Sequence, residues 1–364
     1  MIENKRLHYI DWLKAIGICL IVAGHMLPSA CWPKVLMYSF HVPIFAVVGG
    51  LLASAPKTFK DCFIRIGKTA LRLLIPYLIW FAVFAYPHLL PEDQIPDVVK
   101  HAYTFSDLWK LFLFWENKSI WNAAMWFLPA YFIISVIYPL YLKLTKGNYI
   151  ASAVVAVAAF ATVIYLEKQE ITIDLLGVKN IMGARNIIIL LGFYALGYAI
   201  KGMVNALMNW ERRIPRALIC WIGLIGFVVT AYFTVQANYV ENYKYPAGYY
   251  TLSFYSGLFN DMFQFIGFGV LLCVTLVLAC GLFPRLKSVE LLSRSSFFIM
   301  LTHYVFFLDD TFRSFSKKEW VTDLAYSVRD SVFIIVLYLI LLFLLDKLFR
   351  KFPKIKPFFR IIGI

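Results

Sequence analysis

Tyr9-Ile-Asp-Trp-Leu-Lys-Ala-Ile-Gly-Ile-Cys-Leu-Ile-Val-Ala-Gly-His25 is long and apolar enough to cross a bilayer as a helix, for which roughly 17 to 25 residues suffice. It nevertheless carries Asp11, Lys14 and His25. At 100° per residue, the path from Lys14 to His25 ends about 20° from where it began, after roughly 16 Å of rise. Asp11 falls on the same stripe. Ionisable groups inside a membrane span are costly, and they mark a functional site by default.

The rest of the chain repeats the apolar signal. Of its 364 residues, 61% are hydrophobic and 18% aromatic, far above a water-soluble globular protein. Apolar runs at about 9–29, 35–54, 69–87, 121–142, 149–166, 184–202, 215–236, 255–281, 295–310 and 329–349 predict an all-α polytopic membrane protein of about ten transmembrane helices. The loops are too short to hide an independent core, so residues 1–364 read as a single membrane-embedded domain. Within it, 88–120 are expected to form an outer loop in which Ser106 caps a Trp- and Phe-rich helix, lying in the interface as an aromatic anchor or alternatively serving as a lid over an outward site. Asn117-Lys-Ser119 there is a weak glycosylation match.

A net charge of +14 could point to nucleic acid, but its distribution excludes that reading. With the N-terminus in the cytoplasm, Lys57, Lys60, Arg65, Lys68, Lys143, Lys146, Arg212, Arg213, Arg216, Arg285 and Lys287 all fall on inner segments. Acidic Glu92, Asp93, Asp97, Asp309 and Asp310 fall on outer ones. This is the positive-inside pattern, and it places both termini in the cytoplasm. The basic tail 347–364 then meets anionic lipid heads. Six cysteines show no metal-ligand spacing, and no metal site is expected.

His25 lies deep enough to sit in the outer half of the bilayer, and Lys14 in the inner half. An imidazole with an unperturbed pKa of about 6.5 suits general base work. Spacing alone equally allows a hydrogen-bonded interior histidine, and Asp11 with Lys14 equally fits a local ion pair. Phe40-His-Val-Pro-Ile-Phe45 reads as the opening of the second helix from the outer side, which brings His41 towards the depth of His25. Arg65, Lys68 and Arg72 step by three and four residues, a ridge suited either to lipid heads or to a phosphate-rich cofactor. Asp261 at the start of the eighth span and His303 in the ninth are further candidates, each also readable as a polar bridge between helices. Ten spans with buried ions also describe a transporter or flippase of a lipid-linked sugar.

Ile10-Asp-Trp-Leu-Lys14 followed by His25, then Phe40-His-Val-Pro-Ile-Phe45, Gly49-Gly50, Arg65 to Tyr77, Met125-Trp126-Phe-Leu-Pro129, Phe193-Tyr-Ala-Leu-Gly197 and Leu301-Thr-His303 resemble, in that order, the acyltransferase 3 family of membrane O-acyltransferases. Lys14, where many members carry arginine, is similar to the branch of fucose 4-O-acetylases and surface-polysaccharide succinyltransferases. Gly49-Gly50 replaces a commoner Ser-Gly pair and removes a hydroxyl. The resemblance implies a bacterial inner-membrane enzyme that moves an acyl group, acetyl or alternatively succinyl, from cytosolic acyl-CoA to a hydroxyl of an envelope polysaccharide or lipid-linked sugar. It implies His25 as the essential histidine with Lys14 as its basic partner, and Asp11 completes the candidate catalytic stripe. Acetyl-CoA is then a donor substrate, not a permanently bound cofactor, and its phosphates would rest on Lys14, Arg65, Lys68 and Arg72. His41, Trp126, Asp261 and His303 are the candidates on the acceptor side.

Overall fold

The computed structural model describes residues 7–27, 31–86, 123–169, 184–238, 262–304 and 324–364. Asp261, Asn117 and the expected interfacial helix after Ser106 lie outside them. The described residues form α1 (His8–Met26), α2 (Trp32–Phe40), α3 (Pro43–Leu52), α4 (Phe59–Ala85), α5 (Phe127–Leu144), α6 (Tyr149–Lys168), α7 (Ala184–Met208), α8 (Arg213–Asn238), α9 (Met262–Ala279), α10 (Lys287–Arg294), α11 (Ser296–Thr302), α12 (Leu324–Lys351) and α13 (Lys356–Ile361). Among the described residues nine spans are long and apolar enough to cross a membrane. The expected span over 295–310 begins as α11 and passes out of the described residues after Tyr304. This is a polytopic helical membrane protein.

The second span departs from its sequence reading. Its helix starts at Trp32, so Phe40-His-Val-Pro does not open it but interrupts it, separating α2 from α3. Pro43 has no N–H to donate back and its ring crowds the preceding turn, which breaks the ladder there. The Ser39 carbonyl, the acceptor residue 43 would have used, instead faces Gly269 of α9, 2.9 Å from where a Cβ would stand. His41 is left at the joint.

The third span also starts earlier than its hydropathy suggests. Thr58 accepts from the Asp61 N–H at 3.1 Å and its own N–H donates to Asp61 at 2.9 Å, a reciprocal cap that begins α4 at Phe59. Arg65, Lys68 and Arg72 therefore ride on the helix itself, all exposed.

α1 lies inside the assembly, second in burial among the described spans only to α2 with α3, at 72%. Some 61% of its span is buried inside the protein, against 17% for α8, which faces outward. It is packed by α3, α10, α11 and α12. α3 crosses α7 so closely that a Cβ on Gly50 would run into the Tyr194 carbonyl and the Tyr198 amide, and one on Gly197 into the Val47 carbonyl. Lys201 and Lys143 donate to the Ala53 and Lys57 carbonyls, satisfying acceptors beyond the C-terminus of α3. The basic tail is folded: Phe359 of α13 meets Phe349 edge-to-face at 5.0 Å, and the Trp80 indole donates to the Ile362 carbonyl at 3.2 Å.

Candidate active site

The stripe read from α1 is met along its length by one later stretch of chain. Near the start of α1, Ser293 of α10 donates to Asp11 at 2.6 Å. Near its end, the Tyr304 hydroxyl lies 2.9 Å from His25 Nδ1. Residues 287–304 therefore run parallel to α1 and close its polar face. Lys14, half-buried between these two contacts, shares that face.

His25 stands in a cluster of rings. Its centroid is 5.0 Å from Tyr304, 5.2 Å from His303 and 6.4 Å from Tyr38, and Tyr38 is 4.7 Å from His41. The structure thus brings His41 and His303 into one constellation with His25. His41 is buried, with its Nδ1 2.7 Å from the Met37 carbonyl. A carbonyl only accepts, so His41 carries its proton on Nδ1 and leaves Nε2 as an acceptor. The same holds for His303, fully buried, whose Nδ1 lies 2.8 and 3.1 Å from the Met300 and Ile299 carbonyls. Its Nε2 is buried with no hydrogen-bond partner among the described residues.

Lys34, Tyr38 and His41 step down one face of α2 by four and three residues. Lys34 is buried, donates to the Leu27 carbonyl at 3.2 Å, and lies 5.5 Å over the Tyr38 ring. Leu27 ends α1, so the ammonium caps the negative end of that helix. Tyr38, Tyr304 and Lys34 escaped the sequence reading. The i, i+4, i+7 spacing to His41 is the signal that would have found the two on α2, whereas Tyr304 is marked only by being next to His303.

The other expected residues are placed apart from this cluster. Trp126 ends a 3-10 turn before α5, with its ring against Phe127. No hydrogen bond or ring contact among the described residues ties it to the histidines. Arg65 donates to the Ser54 carbonyl at 2.7 Å and hydroxyl at 3.0 Å, fastening the turn between α3 and α4. Lys68 extends from the same helix without such a tie, and Arg72 lies near Tyr131 and Tyr194. At the foot of α1 a cavity of about 140 Å³ is lined by His8, Asp11, Trp12, Arg285 and Glu290.

The described residues thus form a multi-span helical membrane protein that gathers three histidines and two tyrosines into one cluster. The chain belongs to the acyltransferase 3 family: the family's model, described as an acyltransferase domain, matches residues 7–345. That membership favours acyl transfer over the carrier alternative. Among curated proteins it is similar to the nodulation protein NolL of Sinorhizobium fredii, 28% identical over 164 residues, 42% of this chain and 42% of that one. It is also similar to nodulation protein NolL of Mesorhizobium japonicum, 32% identical over 87 residues, 21% of this chain and 23% of that one. The matched stretches thus span less than half the length of either relative. No solved structure matches.

Proposed function

We propose that this protein is an O-acyltransferase of the bacterial inner membrane, moving an acetyl group from cytosolic acetyl-CoA to a hydroxyl of an envelope polysaccharide or lipid-linked sugar. The observation that carries this reading is His25. It is the partly exposed member of a three-histidine cluster whose other two members, His41 and His303, are buried, on a chain whose family transfers acyl groups. With both termini in the cytoplasm, the start of α1 with Lys14 faces the donor side and His25 the acceptor side.

In this mechanism Lys14, Lys68 and Arg72 attract the donor's phosphates by charge. His25 takes the proton of the acceptor hydroxyl as its oxygen attacks the thioester carbon, and the carbon–sulfur bond breaks to release the thiol. General base help of this kind contributes about 10² to 10⁴-fold in rate. A transient acyl-imidazole on His25 is the covalent variant of the same step.

The test is thiol release and acetyl transfer by the purified protein in lipid, with acetyl-CoA as donor and methyl fucoside as acceptor, comparing wild type with His25→Ala. The proposal expects at least a hundredfold loss in a variant that still folds. Wild-type turnover in that variant removes His25 from the chemistry. Succinyl-CoA run in parallel settles the acyl group.

A further inference from the structure

We propose that Tyr304 is the positioning residue for His25, holding the imidazole so that Nε2 presents its lone pair to the acceptor hydroxyl. The inference rests on the reading of His25 as the catalytic histidine. Among the described residues the Tyr304 hydroxyl is the one hydrogen-bond partner of His25, at 2.9 Å from Nδ1. No carboxylate among them bonds to it.

A phenol can accept or donate. If Nδ1–H donates to the Tyr304 oxygen, Nε2 is left unprotonated and is the atom able to take a proton. If the phenol donates instead, Nε2 carries the hydrogen and cannot. Base catalysis by His25 therefore requires the first arrangement, and Tyr304 supplies the acceptor it needs.

The phenol is itself held in place. Its ring lies 4.8 Å from that of His303 at 64° and 5.0 Å from that of His25 at 61°. His303 in turn is fixed through Nδ1 to the two carbonyls at the end of α11. Orientation passes from the backbone of α11 to His303, to Tyr304, to His25. His303 thereby has a role that does not require contact with substrate.

The experiment compares two substitutions that separate packing from hydrogen bonding. Tyr304→Phe keeps the ring and removes the hydroxyl, whereas Tyr304→Gln loses the ring and returns an acceptor. With the full-length protein in lipid, acetyl-CoA and methyl fucoside, Tyr304→Phe is expected to lower kcat about 10- to 100-fold, the cost of losing a hydrogen bond to a group that becomes charged. KM for acetyl-CoA should stay within about twofold, because uniform binding is untouched. Tyr304→Gln should be the faster of the two, and Tyr304→Phe should cost nothing further in a His25→Ala background. A packing role predicts the reverse order and an equal loss in both backgrounds, and either result overturns the proposal. Full wild-type turnover in His25→Ala alone overturns instead the catalytic reading beneath it.

Discussion

Ser293 and Asp11, 282 residues apart in sequence, share a 2.6 Å hydrogen bond that fastens α10 to the start of α1. Removing the hydroxyl with Ser293→Ala is expected to lower stability by about 1.5 to 3 kcal/mol, the range for a hydrogen bond to a charged group. Asp11→Asn keeps an acceptor oxygen and should cost less than Asp11→Leu. Thermal unfolding in detergent checks both. An unchanged midpoint in Ser293→Ala would show that this contact does not hold the two helices together.

The α3–α7 crossing makes a sharper claim. Gly50→Ala places a methyl group against main-chain atoms of Tyr194 and Tyr198, which no rotamer change relieves. It should lose folded protein outright, and Gly197→Ala should do the same at the Val47 carbonyl. Gly67, exposed on α4 with nothing near its absent Cβ, is the control. Gly67→Ala should be neutral or stabilising by up to about 1 kcal/mol, from helix propensity alone. Yield of monodisperse protein on size exclusion distinguishes the three.

Arg185 at the start of α7 pairs with Glu167 at the end of α6 at 2.7 Å, with side chains only 10% and 13% exposed. Losing Arg185 strands the Glu167 carboxylate in a largely buried setting, at a cost of about 3 to 5 kcal/mol. Replacing both by Leu and Met should cost much less than the two single losses added together. A double-mutant cycle on thermal stability measures the difference, and strict additivity would refute the coupling.

The basic ridge of α4 divides into two kinds of residue. Arg65 is spent on the Ser54 turn, so Arg65→Ala should lower stability first. Lys68 and Arg72 are exposed, and Arg72→Ala should raise KM for acetyl-CoA about tenfold, one charge-assisted contact's worth, with kcat little changed. If Arg72→Ala leaves KM as it was while Arg65→Ala raises it, the donor lies elsewhere on the helix.

Hydropathy made the spans legible because a bilayer demands long apolar runs whatever the packing. It misplaced the start of α4, since Thr58 and Asp61 begin that helix by capping, a signal apolarity does not contain. It misread Phe40-His-Val-Pro as a beginning, because proline is at home in a first turn and equally able to break a helix in its middle. His25 stood out by its cost in a membrane. Tyr304 did not, because a tyrosine near a membrane boundary is commonplace, and its pairing with a histidine 279 residues earlier is a fact of tertiary packing alone.

That separation also sets an order of events. Tyr304 is synthesised 279 residues after His25, roughly 15 to 55 s later at ordinary elongation rates. Throughout that interval His25 sits in lipid or beside transient neighbours, without its phenol. The polar face of the first helix is finished only when the last third of the chain arrives. Nascent or prematurely terminated products that stop short of Tyr304 therefore insert a histidine but never assemble its setting.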